Sequence, residues 1–291
     1  MFVFTAAVVG AGTMGGEIAQ VIASADIDVV LKDVDQAAID AGLDRAREVT
    51  ALQLNKLVSK GKLSQEDADA RAAEILGRID GTLSYDRFGA VDLVIEAVPE
   101  RMEIKQAVMA ELDDLVPGHT ILASNTSALS ITEMADVTAR PDQVIGLHFF
   151  YPASRMRLVE IVEGEETSPE TVQAAVAFVS QIRKSPIVCG EAPGFVVNRI
   201  LMSAVSELWK AQHESGAAFA EFDQGLEATG AVPAGPFRLI DMLGLDTVLH
   251  VAEHLHDSYG DRVFVHPGMQ ELVAAGHLGQ KTGKGFYEYG S

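Results

Sequence analysis

The spacing of apolar positions changes once along the chain, near residue 190. Before that point short apolar runs alternate with segments of helical spacing; after it only helical spacing remains. Residues 5–9 (Thr-Ala-Ala-Val-Val) form a run too short for a helix and predict a strand. A glycine-rich turn follows, and then Ile18, Ala19, Ile22 and Ala23 recur on one helical face. Residues 27–31 predict a second strand, closed by Lys32-Asp33, which completes a βαβ unit. Residues 36–77 predict two helices broken at Lys60-Gly61-Lys62, the second opened by Ser64-Gln65-Glu66-Asp67 as a cap. Further strands are expected over 92–98, 120–123, 144–148 and 158–162, and a helix over 101–114. Cys189, behind Pro186-Ile187-Val188, reads as a buried strand residue.

Beyond residue 190 the pattern predicts helices over 193–213, 219–229, 236–257 and 267–276. The expected architecture is α/β: a Rossmann-type doubly wound sheet over 1–190, then an all-α domain over 191–291. Its abundant apolar residues (Leu239, Ile240, Met242, Leu243, Leu245 among them) exceed what about 100 residues readily bury alone.

The 291 residues fit two domains. Net charge is −20, which argues against nucleic acid or an anionic membrane as partner and requires positive charge to be concentrated locally for any anionic ligand. A single cysteine excludes an internal disulfide framework and fits a reducing compartment. No apolar run approaches the ~18 residues of a membrane span. The expected setting is a soluble cytoplasmic protein, with no metal centre anticipated.

Gly10-Ala11-Gly12-Thr13-Met14-Gly15 follows a strand and opens a helix, the context that gives a G-x-G-x-x-G pattern meaning. Gly10 allows the turn, Gly12 leaves room for a pyrophosphate, and Gly15 lets helix and strand approach; Met14 lies within the same loop. Asp33 falls 21 residues after Gly12, where a carboxylate accepts from ribose hydroxyls and repels a 2′-phosphate. NAD is therefore expected over NADP, with Lys32 a complicating neighbour. Gly10, Asp33, Glu100, Ser127 and His148 all fall at or just after strand ends, which places them at one crevice. His148 ends an apolar strand, Glu160 sits on the next, and Ser127 follows a strand end on the same edge. A carboxylate beside an imidazole fixes its tautomer and suits it to take a proton from an alcohol.

With these residues in place, the chain resembles the L-3-hydroxyacyl-CoA dehydrogenases, 3-hydroxybutyryl-CoA dehydrogenases included. The matching segments are Ser124–Ser127, Leu147–Pro152, Leu158–Glu160, Pro193–Arg199 and the closing Lys281–Tyr287, in the family's order and across essentially the whole chain. Thr82–Tyr85 and Val91–Val98 look most like the dehydrogenase part of bacterial multifunctional fatty-oxidation enzymes. The resemblance implies that His148 is the general base and Glu160 its orienting carboxylate. It implies that Ser127 and Asn198 bind the reacting oxygen and acyl part of an acyl-CoA substrate, in a site between domains, and that Glu100 and Lys105 contact NAD. It also implies a homodimer through the C-terminal domain. One departure stands out: the family's usual Asn after His-Phe-Phe is Tyr151 here. Arg45, Arg47, Lys56, Lys60 and Lys62 are a candidate coenzyme A handle. Two other readings remain at this stage: a dehydrogenase of a free hydroxy acid such as a sugar acid or carnitine, and a non-catalytic dinucleotide-binding protein.

Overall fold

A computed structural model describes residues 2–230, 232 and 234–290. It divides into two compact units, Met1–Glu191 and Ala192–Ser291. The first is built on an eight-stranded sheet in the order β3-β2-β1-β4-β5-β6-β7-β8. The strands are β1 (Thr5–Val9), β2 (Asp28–Lys32), β3 (Ile79–Thr82), β4 (Leu93–Glu96), β5 (Ile121–Ser124), β6 (Val144–Phe149), β7 (Leu158–Glu163) and β8 (Ser185–Gly190). Every pairing is parallel except β6 with β7.

The helices of this unit are α1 (Thr13–Ala23), α2 (Gln36–Ser59), α3 (Gln65–Gly77), α4 (Met102–Leu115), α5 (Ile131–Ala135) and α6 (Pro169–Gln181). Alternation along β1, β2 and β4 sends Ala6, Val8, Val29, Leu31, Leu93 and Ile95 into one apolar cluster with Ile18, Ala19 and Ile22 of α1. Polar caps set the helix starts: Asp35 accepts from the Ala37 N–H, Ser64 from Asp67 and Ser168 from Thr171. Two features depart from the sequence pattern. Strand β3 (Ile-Asp-Gly-Thr) carries one apolar residue and is held at the sheet edge by pairing with β2, so its composition gave no strand signal. Cys189 is half-buried rather than buried, because β8 is the other edge; its neighbours Ile187 and Val188 are exposed.

The second unit holds α7 (Val197–Ser215), α8 (Phe219–Ala228), α9 (Pro236–Leu243), α10 (Leu245–Tyr259) and α11 (Pro267–Ala274). Trp209, Phe237, Ile240, Leu245, Ala252, Leu255 and Met269 are central to its core. The helix expected over 236–257 is two helices, because Gly244 has φ +97° and ψ 119°, outside helical geometry. The helix expected from 193 begins at Val197, since Gly194 and Phe195 both have positive φ. The buried carboxylate of Asp241 accepts from the Phe286 and Tyr287 N–H groups (2.9 Å each), and that of Asp223 from the Tyr287 hydroxyl (2.7 Å). The Lys281–Tyr287 segment is thereby folded onto α8 and α9. Among the described residues no helix is long and apolar enough to cross a membrane.

Candidate active site

The glycine loop leaves β1 at Gly10, whose φ of +101° is strained for any other residue. A Cβ on Gly10 would lie 2.5 Å from the Ala97 carbonyl oxygen, and one on Gly15 would lie 1.8 Å from that of Gly10. A Cβ on Gly12 would meet nothing within 4 Å. That open space lies at the N-terminus of α1, whose cap Gly12 supplies no side-chain acceptor. The first-turn N–H groups and the helix dipole there fit the pyrophosphate of a dinucleotide. Met14 is half-buried and packs on the core cluster.

Asp33 follows β2. One carboxylate oxygen accepts from the Ala11 N–H (2.7 Å), and the other from Val34 (2.7 Å) and Asp35 (3.3 Å). Its orientation is fixed by the glycine loop, and the cap of α2 is Asp35 instead. Lys32 is 6% exposed and its ammonium lies 4.0 Å over the ring of Tyr85, whose hydroxyl donates to Glu111 (2.9 Å). The neighbour that complicates cofactor choice therefore has an aromatic partner of its own.

At the C-terminal end of β4 lies a buried ionic lattice. Lys105 on α4, 1% exposed, donates to both oxygens of Glu96 (2.8 and 3.0 Å) and to the Val98 carbonyl (3.3 Å), and pairs with Glu100 at 3.2 Å. Ser124 donates to Glu96 (2.6 Å). Glu100 accepts from the Thr126 hydroxyl (2.6 Å) and from the N–H (2.8 Å) and hydroxyl (3.2 Å) of Ser127. Burial alone would raise the Glu100 pKa; the Lys105 charge and these donors outweigh it and hold it below the usual value. Glu100 and Lys105, each expected to contact the cofactor, contact one another, and Lys105 is almost wholly buried. Glu96, Ser124 and Thr126 were not anticipated as members. A Glu ending an apolar strand was the available signal, since a buried charge requires partners.

His148 and Glu160 are direct partners across the antiparallel β6–β7 ladder. Their side chains share a face, with Nδ1 2.7 Å from a carboxylate oxygen, and they are 6% and 0% exposed. The ring of Phe150 lies 4.4 Å from the imidazole centroid. The loop carrying Ser127 is tied to this strand by Asn125, whose side-chain oxygen accepts from the Phe149 N–H (2.9 Å). Strands β5 and β6 are parallel neighbours, so Ser127 and His148 leave the same end of the sheet. Tyr151 is about half exposed. Asn198 belongs to the second unit, in the first turn of α7, and is half-buried. Of the candidate coenzyme A residues, Arg45 lies 3.8 Å from Glu17 and 3.4 Å from Glu48, and Arg47 pairs with Asp44. Lys56, Lys60 and Lys62 are exposed. Among the described residues no three His, Cys, Asp or Glu side chains are grouped to hold a metal ion. A cleft of about 680 Å³ in the second unit, lined by Lys210, Glu253, His256 and Asp257 among others, contains none of these residues.

Residues 5–192 match the sequence family described as 3-hydroxyacyl-CoA dehydrogenase, NAD binding domain, and residues 194–289 its C-terminal domain. A 3-hydroxybutyryl-CoA dehydrogenase of Clostridioides difficile is 43% identical over 97% of this chain and 98% of its own length. The fatty acid oxidation complex subunit alpha of Psychrobacter cryohalolentis is 41% identical over 98% of this chain, which spans 38% of that protein. The crystal structure of (S)-3-hydroxybutyryl-CoA dehydrogenase from Ralstonia eutropha superposes with a TM-score of 0.89 at 42% identity, covering 100% of both chains. The chain thus belongs to the 3-hydroxyacyl-CoA dehydrogenase family, as an oxidoreductase that uses NAD.

Proposed function

We propose that the protein oxidises an L-3-hydroxyacyl-CoA to the 3-ketoacyl-CoA, reversibly, with His148 as the base. The observation that carries this reading is the buried His148–Glu160 pair at 2.7 Å, on the same sheet whose strand β1 leads into the nucleotide loop. In neutral His148 the Nδ1–H donates to Glu160, which leaves Nε2 as the proton acceptor. NAD, when bound, supplies the hydride acceptor for the carbon that carries the hydroxyl. His148 takes the hydroxyl proton as that hydride departs, and Glu160 stabilises the imidazolium formed. In the reverse direction the imidazolium returns the proton to the carbonyl oxygen. Ser127, held on Glu100 through its backbone N–H, is assigned to polarise that oxygen by turning its hydroxyl from Glu100 to the substrate, and Asn198 to bind the acyl part.

Gly10, Gly12, Met14, Gly15 and Asp33 are assigned to the dinucleotide, and the Lys105–Glu100 lattice to supporting its crevice. The apolar surface of Ile200, Met242 and Leu243 on the second unit supports a homodimer through that unit, and the single cysteine supports a cytoplasmic setting. The test is NADH oxidation with acetoacetyl-CoA, beside free acetoacetate and with NADPH as controls. Turnover with acetoacetyl-CoA and NADH alone is the expected result. Equal turnover of free acetoacetate would overturn the acyl-CoA assignment.

A further inference from the structure

The first unit contains a cleft of about 260 Å³ whose walls include none of the residues assigned above to chemistry or to NAD. Arg155, Arg157, Arg183 and Lys184 line it, together with Gln20 and Gln53. In a chain with 42 acidic and 22 basic residues, four cations around one small cleft are a local reversal of the overall charge. Among the described residues none of the three arginines forms an ion pair. The nearby carboxylate of Glu17 is 2% exposed and already engaged: it accepts from the Ser154 N–H (3.1 Å) and lies 3.8 Å from Arg45.

Two observations make this a built site and not a chance accumulation of charge. Lys184 donates to the carbonyls of Ala153 and Met156, which fixes the loop bearing Arg155 and Arg157 against the turn bearing Arg183. Gln20 is 0% exposed, and the two hydrogens of its amide nitrogen are shared among the oxygens of Ser24 (2.9 Å), Thr50 (3.3 Å) and Gln53 (3.3 Å), yet its carbonyl oxygen has no donor within the protein. A buried acceptor without a donor is a deficit that a ligand N–H or O–H would fill.

We propose that this cleft binds a phosphate ester that also carries a hydrogen-bond donor, its oxyanions held by Arg155, Arg157 and Arg183. Guanidinium groups suit phosphate through paired, charge-assisted hydrogen bonds. Two sources share this chemistry: the phosphorylated adenosine end of coenzyme A, which rests on the function proposed above, and a free phosphorylated compound, which does not. Arg45 and Arg47 are engaged with carboxylates on or beside α2, whereas these arginines are not.

The test is calorimetric titration of the wild-type protein and of R155S/R157S/R183S with coenzyme A, 3′-dephospho-coenzyme A and inorganic phosphate. Wild-type binding weakened at least ten-fold in the variant, for any of the three, is the expected result; loss of two or more charge-assisted contacts predicts a change of about that size or larger. Loss for coenzyme A but not its dephospho form places the 3′-phosphate in the cleft, and loss for both places the pyrophosphate there. Loss for inorganic phosphate with coenzyme A unchanged assigns the cleft to a free phosphorylated compound. Unchanged binding of all three, or no binding of any to the wild type, overturns the proposal. Retained NADH binding shows that the variant is folded, and Arg157→Gln alone, with Arg157→Lys as its rescue, serves if the triple variant is not. Wild-type turnover of acetoacetyl-CoA is measured separately: its absence beside intact phosphate binding removes the proposed function and leaves the cleft assignment standing.

Discussion

Lys105 is buried almost completely and is tolerated because two carboxylates and a carbonyl surround its ammonium. Replacing it by Met leaves Glu96, itself 0% exposed, without its counter-ion. Breaking a buried pair from one side costs about 3–5 kcal/mol, far more than an exposed pair is worth. Lys105→Met is therefore expected to lower the urea midpoint by a corresponding amount, and adding Glu96→Gln to recover part of it. Additive losses in the double variant would show that the two groups are not coupled. At His148 the buried pair is one that the proposed function assigns to chemistry. His148→Ala is expected to reduce turnover by about 10²–10⁴-fold while NADH binding is kept. Glu160→Gln keeps the shape but removes the carboxylate assigned to stabilise the imidazolium formed during the reaction, so its turnover should fall while NADH binding is kept. Near-normal turnover would separate Glu160 from the proton transfer.

Elements differ in how much of themselves they write into the sequence. The central strands β1, β4, β5 and β6 are apolar runs and were legible, because strands covered on both faces must be apolar throughout. Edge strand β3 was not, because pairing with β2 and not composition makes it a strand. His148 and Glu160 were legible as partners because each closes or occupies an apolar strand where a charge is out of place. The contact of Glu96 with Lys105 was not, since it joins β4 to α4 through side chains that no periodicity relates. The helices α9 and α10 were merged because apolar spacing continues through Gly244 while the backbone does not. The break at Gly244 can be tested directly. Gly244→Ala forces a non-glycine residue to φ +97°, which costs about 1–3 kcal/mol. Thermal unfolding followed at Trp209 is expected to shift downward accordingly; no shift would mean that the break lies in the neighbouring residues.

At the scale of the whole molecule, two units with separate cores respond to acid through different groups. In the second unit His266 is 3% exposed; its Nδ1 accepts from the Gly268 N–H (3.0 Å) as the cap of α11, and its Nε2–H donates to Gln212 (2.9 Å). Burial, and then the nearby His213, lower its pKa from 6.5 to about 4. Between those values the unfolded chain binds a proton that the folded chain refuses, so stability falls as pH falls through that window, by up to about 3 kcal/mol in all. In the first unit Glu100 has its pKa held below 4.5, so its contribution is present above that pH and is lost only in stronger acid. The second unit is therefore expected to weaken first. Trp209, the one tryptophan of the chain, is fully buried in that unit's core and reports on it directly. Its fluorescence-detected urea midpoint should fall steadily from pH 7 to pH 5. In His266→Gln the slope over that range should flatten, even though the variant starts from lower stability. A slope that persists in His266→Gln would move the acid sensitivity to another group, and a wild-type midpoint constant over the range would mean that His266 does not differ in proton affinity between the folded and unfolded chains.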